Sequence, residues 1–405
     1  MPNIEHLETG DSMQAYLDNA ATTKLSGAAR DAMFRACELY GNPSSLHGPG
    51  REASNALQGA RERIAACIGA APGEIYFTSG GTEADNQAII SAAAAGRAKN
   101  KKHIIASNIE HHAVLHYLEH LEKTQGARLT LLQVDENGFV NPQDVRAAIC
   151  EDTCLVSVML ANNEIGTIQP IAEIGAVCRA SKIPFHCDAV QAVGHIPVDV
   201  SRLKADMLSV SAHKFHGPKG VGALYCRQGV PLRPLLFGGA QENNRRAGTE
   251  NLPAVMGMAT ALEEAIAEMG EVSARLVSYR DRLIDGLLSL DKAHLNGHRT
   301  RRLPGNVNFC FEGLEGESLL LYLDARGIAA SSGSACTSGS LEPSHVLLAL
   351  GRPHEIAHGS LRLSLSRYTA REEIDYALRE IPKIVALLRN MSPVWDRLRT
   401  TAVEG

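Results

Sequence analysis

Residues 211–220 read SAHKFHGPKG and lie between two strand-like runs, MLSV at 207–210 and VGALYC at 221–226. Apolar runs on either side of a Gly/Pro turn predict two buried strands joined there. Burial disfavours an ammonium, so a lysine at the end of such a strand is biased toward the neutral amine that attacks carbonyl carbons. Lys214 is therefore a candidate for covalent attachment of a carbonyl cofactor, and a plain turn lysine is the alternative.

Strand-like and helix-like segments alternate along the chain on both sides of this stretch. The strand-like segments are short and largely apolar, and they lie at 75–78, 103–107, 128–134, 154–160, 183–190, 206–212 and 221–226. Apolar strands that alternate with helices predict an α/β fold, here with a seven-stranded and mostly parallel sheet.

A second region follows a long predicted helix that starts at residue 252. It contains strand-like and helix-like segments in a mixed order, at 306–311, 316–326, 360–365 and 371–389. This pattern predicts a smaller α+β domain. We expect a large domain over residues 15–260 and a small C-terminal domain over residues 261–405, to which the N-terminal arm 1–14 belongs.

The composition is that of an ordinary globular protein, with 44% hydrophobic and 21% charged residues. A net charge of -5 gives no reason to expect nucleic acid or an anionic membrane as a partner. No apolar run approaches the roughly 20 residues that span a bilayer, and the N-terminal residues do not read as a signal peptide. The sequence therefore predicts a cytoplasmic protein.

The nine cysteines are an odd number in a chain without export signals, so we expect no disulfides. No Cys-x-x-Cys occurs, and Cys150 and Cys154 have too few companions for an intrinsic metal site. Cys336 differs from the others because it lies in SSGSACTSGS, residues 331–340, which are nearly all small and polar. Such a segment cannot pack a core, so its thiol is suited to nucleophilic attack and to handing sulfur onward.

Polar residues collect where the predicted parallel strands end, which is the edge of an α/β sheet that binds ligands. Pyridoxal phosphate needs an acid for its pyridine nitrogen, and Asp188 can supply it. It also needs donors to its phenolic oxygen, which Gln191 and Asn163 can provide, and an aromatic face, which His111 can provide while exchanging protons. Caps of helices or loops are the alternatives for these residues, and a structural role is the alternative for His111.

The phosphate of such a cofactor would find donors in the turn that follows strand 75–78. Gly81 and Thr82 lie where this turn enters a helix, and the N–H groups of a helix start bind phosphate well. Ser211 and His213 are further donors beside Lys214. A plain N-cap is the alternative for the turn. Arg362 lies among apolar residues of a predicted strand, where it would bind a substrate carboxylate or form an intramolecular ion pair.

Taken together, the chain resembles the pyridoxal-phosphate cysteine desulfurases of the NifS/IscS type from about Tyr16 to Trp395. Eight motifs occur in the family's order: YLDNAATT, GNPSSLHGPG, FTSGGTEADN, NNEIGT, HCDAVQAVG, SAHKFHGPKG, RRAGTENLP and SSGSACTSGSLEPSH. The resemblance implies fold type I of pyridoxal-phosphate enzymes and a homodimer. It assigns the cofactor to Lys214, Asp188, Gln191, Asn163, His111, Gly81, Thr82, Ser211 and His213, together with Thr249 of the partner subunit.

The implied reaction converts L-cysteine to L-alanine. Lys214 would bind the cofactor as a Schiff base and move the substrate's α-proton, Arg362 and Asn163 would bind the substrate, and Cys336 would take the sulfur as a persulfide. The sulfur would go to an iron–sulfur scaffold or another acceptor protein, and Cys336 would contact a cluster only transiently.

The pathway that receives the sulfur stays open at this point. RRAGTENLP and EPSHVL favour the nitrogen-fixation branch, while LRNMSPVW is shared more widely. The alternatives to the whole assignment are a selenocysteine lyase or an aminotransferase on the same fold, and a non-catalytic module that binds sulfur or an iron–sulfur cluster.

Overall fold

The structure is a computed structural model that describes residues 13–332 and 343–401. Its strands, numbered in chain order, are β1 (Ala15–Tyr16), β2 (Ile75–Thr78), β3 (His103–Ser107), β4 (Arg128–Leu132), β5 (Thr153–Ser157), β6 (Phe185–Asp188), β7 (Met207–Ser211), β8 (Gly222–Cys226), β9 (Ala293–Leu295), β10 (Asn306–Phe311), β11 (Ile328–Ala329) and β12 (Ser360–Ser364).

The helices are α1 (Gly27–Cys37), α2 (Gly48–Ile68), α3 (Gly81–Arg97), α4 (His112–Gln125), α5 (Pro142–Ala148), α6 (Ile171–Ser181), α7 (Val200–Leu203), α8 (Gln241–Asn244), α9 (Leu252–Leu288), α10 (Gly316–Asp324), α11 (His345–Ala349), α12 (His354–Ala357), α13 (Arg371–Asn390) and α14 (Pro393–Thr401). Two short 3-10 turns cover Pro72–Glu74 and Ala212–Lys214. Within the described ranges, no helix combines the length and the apolar character needed to cross a membrane.

The chain divides into two compact units. The larger one comprises Ala20–Ser273 and Gly297–Pro304, and the smaller one comprises the remaining described residues. The division therefore falls inside α9, between residues 273 and 274, whereas the sequence predicts it near residue 260. A continuous helix carries no turn or change of composition at that point, so the sequence has no signal for it.

The larger unit is built on the seven-stranded sheet, with strand order β2-β8-β7-β6-β5-β3-β4. The neighbours from β7 to β4 are parallel, and β8 is antiparallel to both β2 and β7. All residues of β3, β5 and β7 are buried, as expected of strands covered by helices on both faces. The α/β expectation with a mostly parallel sheet is confirmed.

Alternation along the strands creates two cores, one on each face of the sheet. In β3, Ile105 packs in one apolar cluster, and its neighbours Ile104 and Ala106 pack in the other. The same split separates Leu208 from Met207 in β7. Side chains alternate between the two faces of a strand. An apolar run without polar interruption therefore indicates that both faces of the strand are covered.

The smaller unit has an antiparallel sheet with strand order β12-β10-β9 and a short parallel pair of β1 with β11. Five residues of β10 pair with β12, including Asn308 opposite Arg362. The helices α10 and α13 contribute buried apolar residues such as Leu319 and Ile381. This mixture of helices with an antiparallel sheet agrees with the predicted α+β character.

Candidate active site

The ends of the parallel strands bring the predicted cofactor residues of the larger unit to one edge of its sheet. Asp188 is the last residue of β6 and Ser211 is the last residue of β7. His111 follows β3, and Asn163 follows β5. Parallel strands end at the same edge, so this arrangement follows directly from the topology.

Lys214 closes the 3-10 turn after β7 and is half-buried. Its Nζ donates to the carbonyl oxygens of Ala20 at 2.6 Å and Ala21 at 2.8 Å. Gln191 Nε2 donates to the same Ala20 oxygen at 3.0 Å. The amine is therefore held next to the Gln191 side chain by two backbone carbonyl groups. The alternative, an exposed lysine in a turn, would not have these contacts.

Asp188 is 5% exposed, and its Oδ1 accepts a hydrogen bond from the N–H of Val190 at 2.9 Å. This contact caps a turn, which is the alternative kept for this residue. Burial, followed by the nearby Asp85 carboxyl, raises the pKa of Asp188 well above its usual range. A buried carboxylate in that setting is stabilised by a cationic partner, and a protonated pyridine nitrogen is such a partner.

The predicted phosphate cradle is the turn from β2 into α3. A Cβ at Gly81 would lie 2.7 Å from Val190 Cγ2, and Gly80 has a φ of +155°, so both positions require glycine. Gly81 and Thr82 are the first residues of a 17-residue helix, whose leading N–H groups have no partner within the helix. These donors and the helix dipole suit a phosphate group.

His213 lies beside this cradle in sequence and binds Thr22 Oγ1 through Nδ1 at 3.2 Å. Burial, together with the charges of Lys214 and Lys219, lowers the pKa of His213 to about 4. The imidazole is thus neutral at physiological pH and can donate one hydrogen bond to an anion without a charge of its own.

His111 is the N-cap of α4, and its Nδ1 accepts from the N–H of Ala113 at 3.1 Å. The structural role kept as an alternative is therefore present, and it fixes the plane of the ring. Stacking on a cofactor stays a prediction. Beside Asn163, the fully buried Asn162 turns the loop, since its Oδ1 accepts from the N–H groups of Glu164 and Ile165 at 2.9 and 3.0 Å.

A buried polar cluster behind Asp188 has no counterpart in the sequence analysis. His186, two residues earlier on β6, contacts Ser157 Oγ at 2.8 Å and Ser209 Oγ at 3.0 Å. Its Nε2 also lies 3.5 Å from Asp85 Oδ1. The signal for this cluster is one polar residue in each of three adjacent apolar strands, which becomes visible only when the strands are aligned.

Glu110 belongs to the same buried region and is fully enclosed. Its Oε1 accepts from the N–H of Met159 at 3.0 Å and from the Ser107 hydroxyl. Burial outweighs these hydrogen bonds and raises the pKa of Glu110 to about 8. The carboxyl is therefore protonated at neutral pH.

Replacement of Glu110 by Gln is expected to remove a pH dependence of stability. The folded protein holds this proton up to about pH 8, and the unfolded chain releases it near pH 4.5, so stability falls as pH rises through this window. The loss is about 3 kcal/mol between pH 4.5 and 7. Urea unfolding at pH 5 and pH 8 should show a flatter profile for Glu110→Gln. The exposed Glu119→Gln should keep the wild-type slope, and equal slopes for all three proteins would contradict the expectation.

Three predicted residues remain, Thr249, Arg362 and Cys336. Thr249 is exposed in the larger unit and lines a cavity of about 150 Å³ together with Thr78 and Ser79. In the smaller unit, Arg362 Nη2 binds Asp18 Oδ1 at 3.0 Å, so the intramolecular ion pair kept as its alternative is formed. Cys336 lies outside the described residues.

Comparison with known proteins shows the family to which the chain belongs. The family model described as aminotransferase class-V matches residues 15–377. The cysteine desulfurase IscS of Methanosarcina thermophila is 56% identical over 385 residues, 95% of each chain. The cysteine desulfurase of Gluconacetobacter diazotrophicus is 48% identical over 384 residues, 94% of this chain and 96% of that one.

Solved structures of similar proteins support the same family. A NifS-like protein superimposes with a TM-score of 0.87 at 39% identity, covering 93% of this chain and all of that one. DndA from Streptomyces lividans has a TM-score of 0.74 at 38% identity, covering 86% and 99%. The chain belongs to the class-V aminotransferase family. Its architecture is the expected fold type I, and its cofactor is pyridoxal phosphate, which the buried acid, the glycine cradle and the enclosed lysine fit.

Proposed function

We propose that this chain converts L-cysteine to L-alanine and passes the sulfur onward through a persulfide of Cys336 for iron–sulfur cluster assembly. It is a pyridoxal-phosphate-dependent cysteine desulfurase. The observation that carries this proposal is the enclosed Lys214 amine at the same sheet edge as the buried Asp188, in a chain 56% identical to a cysteine desulfurase. A solved relative described as SspA in complex with cysteine, 36% identical, supports the substrate.

The larger unit supplies the groups that hold the cofactor. When bound, pyridoxal phosphate provides a ring that takes up negative charge from the substrate's α-carbon. Asp188 would pair with the ring nitrogen, and Gln191 and Asn163 would donate to the phenolic oxygen. The phosphate would lie at the start of α3, where Gly81, Thr82, Ser211 and His213 provide donors, with Thr249 of the partner subunit as a further one.

Proton movement is assigned to Lys214 and His111. The Lys214 amine would accept the α-proton of cysteine and return a proton to carbon, and the carbonyl oxygens of Ala20 and Ala21, to which it donates, would keep it within the site. His111 would lie against the ring face and exchange protons there. Its capping bond to Ala113 restrains the ring, so its orientation does not depend on the substrate.

Cys336 is assigned the sulfur step. Its thiolate attacks the sulfur of bound cysteine, a sulfur–sulfur bond forms and the carbon–sulfur bond breaks. The electron pair of the broken bond stays with the β-carbon, which takes up a proton and becomes the methyl group of alanine. Arg362 and Asn163 would bind the substrate, and Arg362 would exchange its Asp18 partner for the α-carboxylate.

We also infer a cytoplasmic homodimer that delivers sulfur to an acceptor protein. The larger unit exposes several large apolar side chains, among them Tyr40 at 86%, Leu46 at 91% and Phe237 at 85%. Association with a second copy would remove such side chains from water. The choice of scaffold protein as the acceptor and the nitrogen-fixation branch both stay predictions.

The decisive experiment is product analysis with purified protein loaded with pyridoxal phosphate. Incubation with L-cysteine is expected to yield alanine in a one-to-one ratio with protein-bound or released sulfur, and the loaded protein should absorb visible light. L-serine, with oxygen in place of sulfur, serves as the matched control and should give no alanine. Formation of 3-mercaptopyruvate would assign an aminotransferase instead, and alanine from selenocysteine alone would assign a selenocysteine lyase.

A further inference from the structure

Strand β2 is an outer strand of the seven-stranded sheet, paired only with β8. An outer strand presents backbone groups without a partner strand. Here two side chains take the place of that strand. Arg61 Nη1 from α2 donates to the Ile75 carbonyl oxygen at 2.6 Å, and Glu242 Oε2 accepts from the Phe77 N–H at 2.9 Å.

The same two side chains form a bidentate ion pair. Arg61 Nη1 lies 2.8 Å from Glu242 Oε2, and Nη2 lies 2.6 Å from Oε1. The side chains are only 12% and 2% exposed, and the guanidinium lies 4.5 Å from the centre of the Phe77 ring. Two parallel hydrogen bonds between buried charges define one geometry, and loss of either partner leaves the other charge buried.

Glu242 occupies a backbone conformation that supports this arrangement. Residues Glu242, Asn243 and Asn244 have φ values of 48°, 55° and 61°, so three consecutive residues other than glycine are left-handed. Such a conformation persists only where the surroundings over-determine it, and it marks functional segments more often than others. The Arg61 and Phe77 contacts are what hold Glu242 there.

A second ion pair joins the segment that follows Glu242 to the start of α3, on the helix side of the cradle. Arg246 Nε lies 3.0 Å from Glu83 Oε1 in the first turn of α3. Glu83 Oε2 also accepts from the Ser79 N–H at 2.9 Å. The turn that joins β2 to α3 is therefore restrained on the strand side through Glu242 and on the helix side through Glu83.

We propose that Arg61 and Glu242 are positioning residues for the phosphate group of the cofactor. This proposal rests on the proposed function. They complete the open edge of β2, and β2 leads directly into the Ser79–Gly81 turn. A strand fixed at Ile75 and Phe77 places the N–H groups of Gly81 and Thr82 before the ligand arrives. The phosphate therefore meets donors that need no rearrangement, which is the source of tight anion binding by helix starts.

The test compares Glu242→Gln with wild type for two probes, pyridoxal phosphate and pyridoxal, which lacks the phosphate. Equilibrium affinities are measured from visible absorbance. In the wild type, phosphate should improve affinity strongly, and Glu242→Gln should reduce this advantage by about tenfold, since a small misplacement of donors has effects of that size. Binding of pyridoxal, which depends on Lys214 and Asp188, should stay within about twofold.

The matched control is Glu263→Gln. Arg63, two residues after Arg61 on the same helix, pairs with Glu263 of α9, and this pair does not contact β2. The control should keep the wild-type phosphate advantage. The double variant Arg61→Gln/Glu242→Gln buries no charge, so it answers the same question if Glu242→Gln does not fold. Equal loss of affinity for both probes would overturn the proposal, whereas a wild type that binds neither probe would overturn the proposed function.

Discussion

The Lys214→Ala variant is expected to lose visible absorbance and alanine formation together. The amine donates to the carbonyl oxygens of both Ala20 and Ala21, and the proposed function gives it two roles, covalent attachment and proton transfer. Removal of a positioned acid–base group alone lowers rates by about 10²- to 10⁴-fold, so with the attachment also lost we expect a decrease of at least about 10³-fold.

The measurement is absorbance of the purified protein after incubation with pyridoxal phosphate, followed by alanine assay with L-cysteine. Lys219→Ala is the control, because Lys219 is an exposed lysine of the same loop. It should retain both signals. If borohydride reduction still fixed the cofactor covalently to Lys214→Ala, another lysine would have to form the Schiff base, and the assignment of Lys214 would be wrong.

The Cys336→Ser variant is expected to stop sulfur transfer while leaving the earlier chemistry intact. A hydroxyl does not ionise at neutral pH, so it cannot replace the thiolate that attacks sulfur. Label from ³⁵S-cysteine should not remain on the variant, and alanine formation should fall by about 10³-fold or more. Visible absorbance should match the wild type, because every cofactor residue is unchanged.

Proton exchange separates the two halves of the reaction. In the proposed reaction Lys214 moves the α-proton before sulfur leaves, so Cys336→Ser should still exchange the α-proton of L-cysteine with deuterated solvent. Cys37→Ser and Cys150→Ser, at two cysteines that the structure shows to be exposed, should retain both label and alanine formation. A Cys336→Ser protein that still trapped label would show that a different thiol accepts the sulfur.

The fold was largely predictable, because each central strand is an apolar run buried on both faces. The predicted segment 103–107 coincides with β3, and 206–212 contains β7 with one extra residue at each end. Asp188 and Lys214 were predicted as site residues because each lies at or just after the end of such a run. Their chemistry depends on the strand ends, which topology alone brings together.

Other parts of the site depend on contacts between distant residues, which a linear pattern does not contain. Arg362 binds Asp18, which is 344 residues away in the sequence. The sequence therefore indicated that Arg362 requires a carboxylate partner, but not which residue provides it. Asn162 and Asn163 are adjacent and chemically alike, and only the loop geometry gives Asn162 the buried structural role. Glu242 resembles an ordinary surface acid until the edge of β2 is in view.

The bond from Lys214 to Ala20 joins residues 194 positions apart. Contacts over such separations form late in folding, because the intervening chain must first be ordered. A newly synthesised chain could therefore bind the coloured, vitamin-derived cofactor only after all residues between Ala20 and Lys214 have been made and folded. The appearance of colour in a refolding experiment would therefore report when the part of the larger unit between Ala20 and Lys214 has formed, without any added dye.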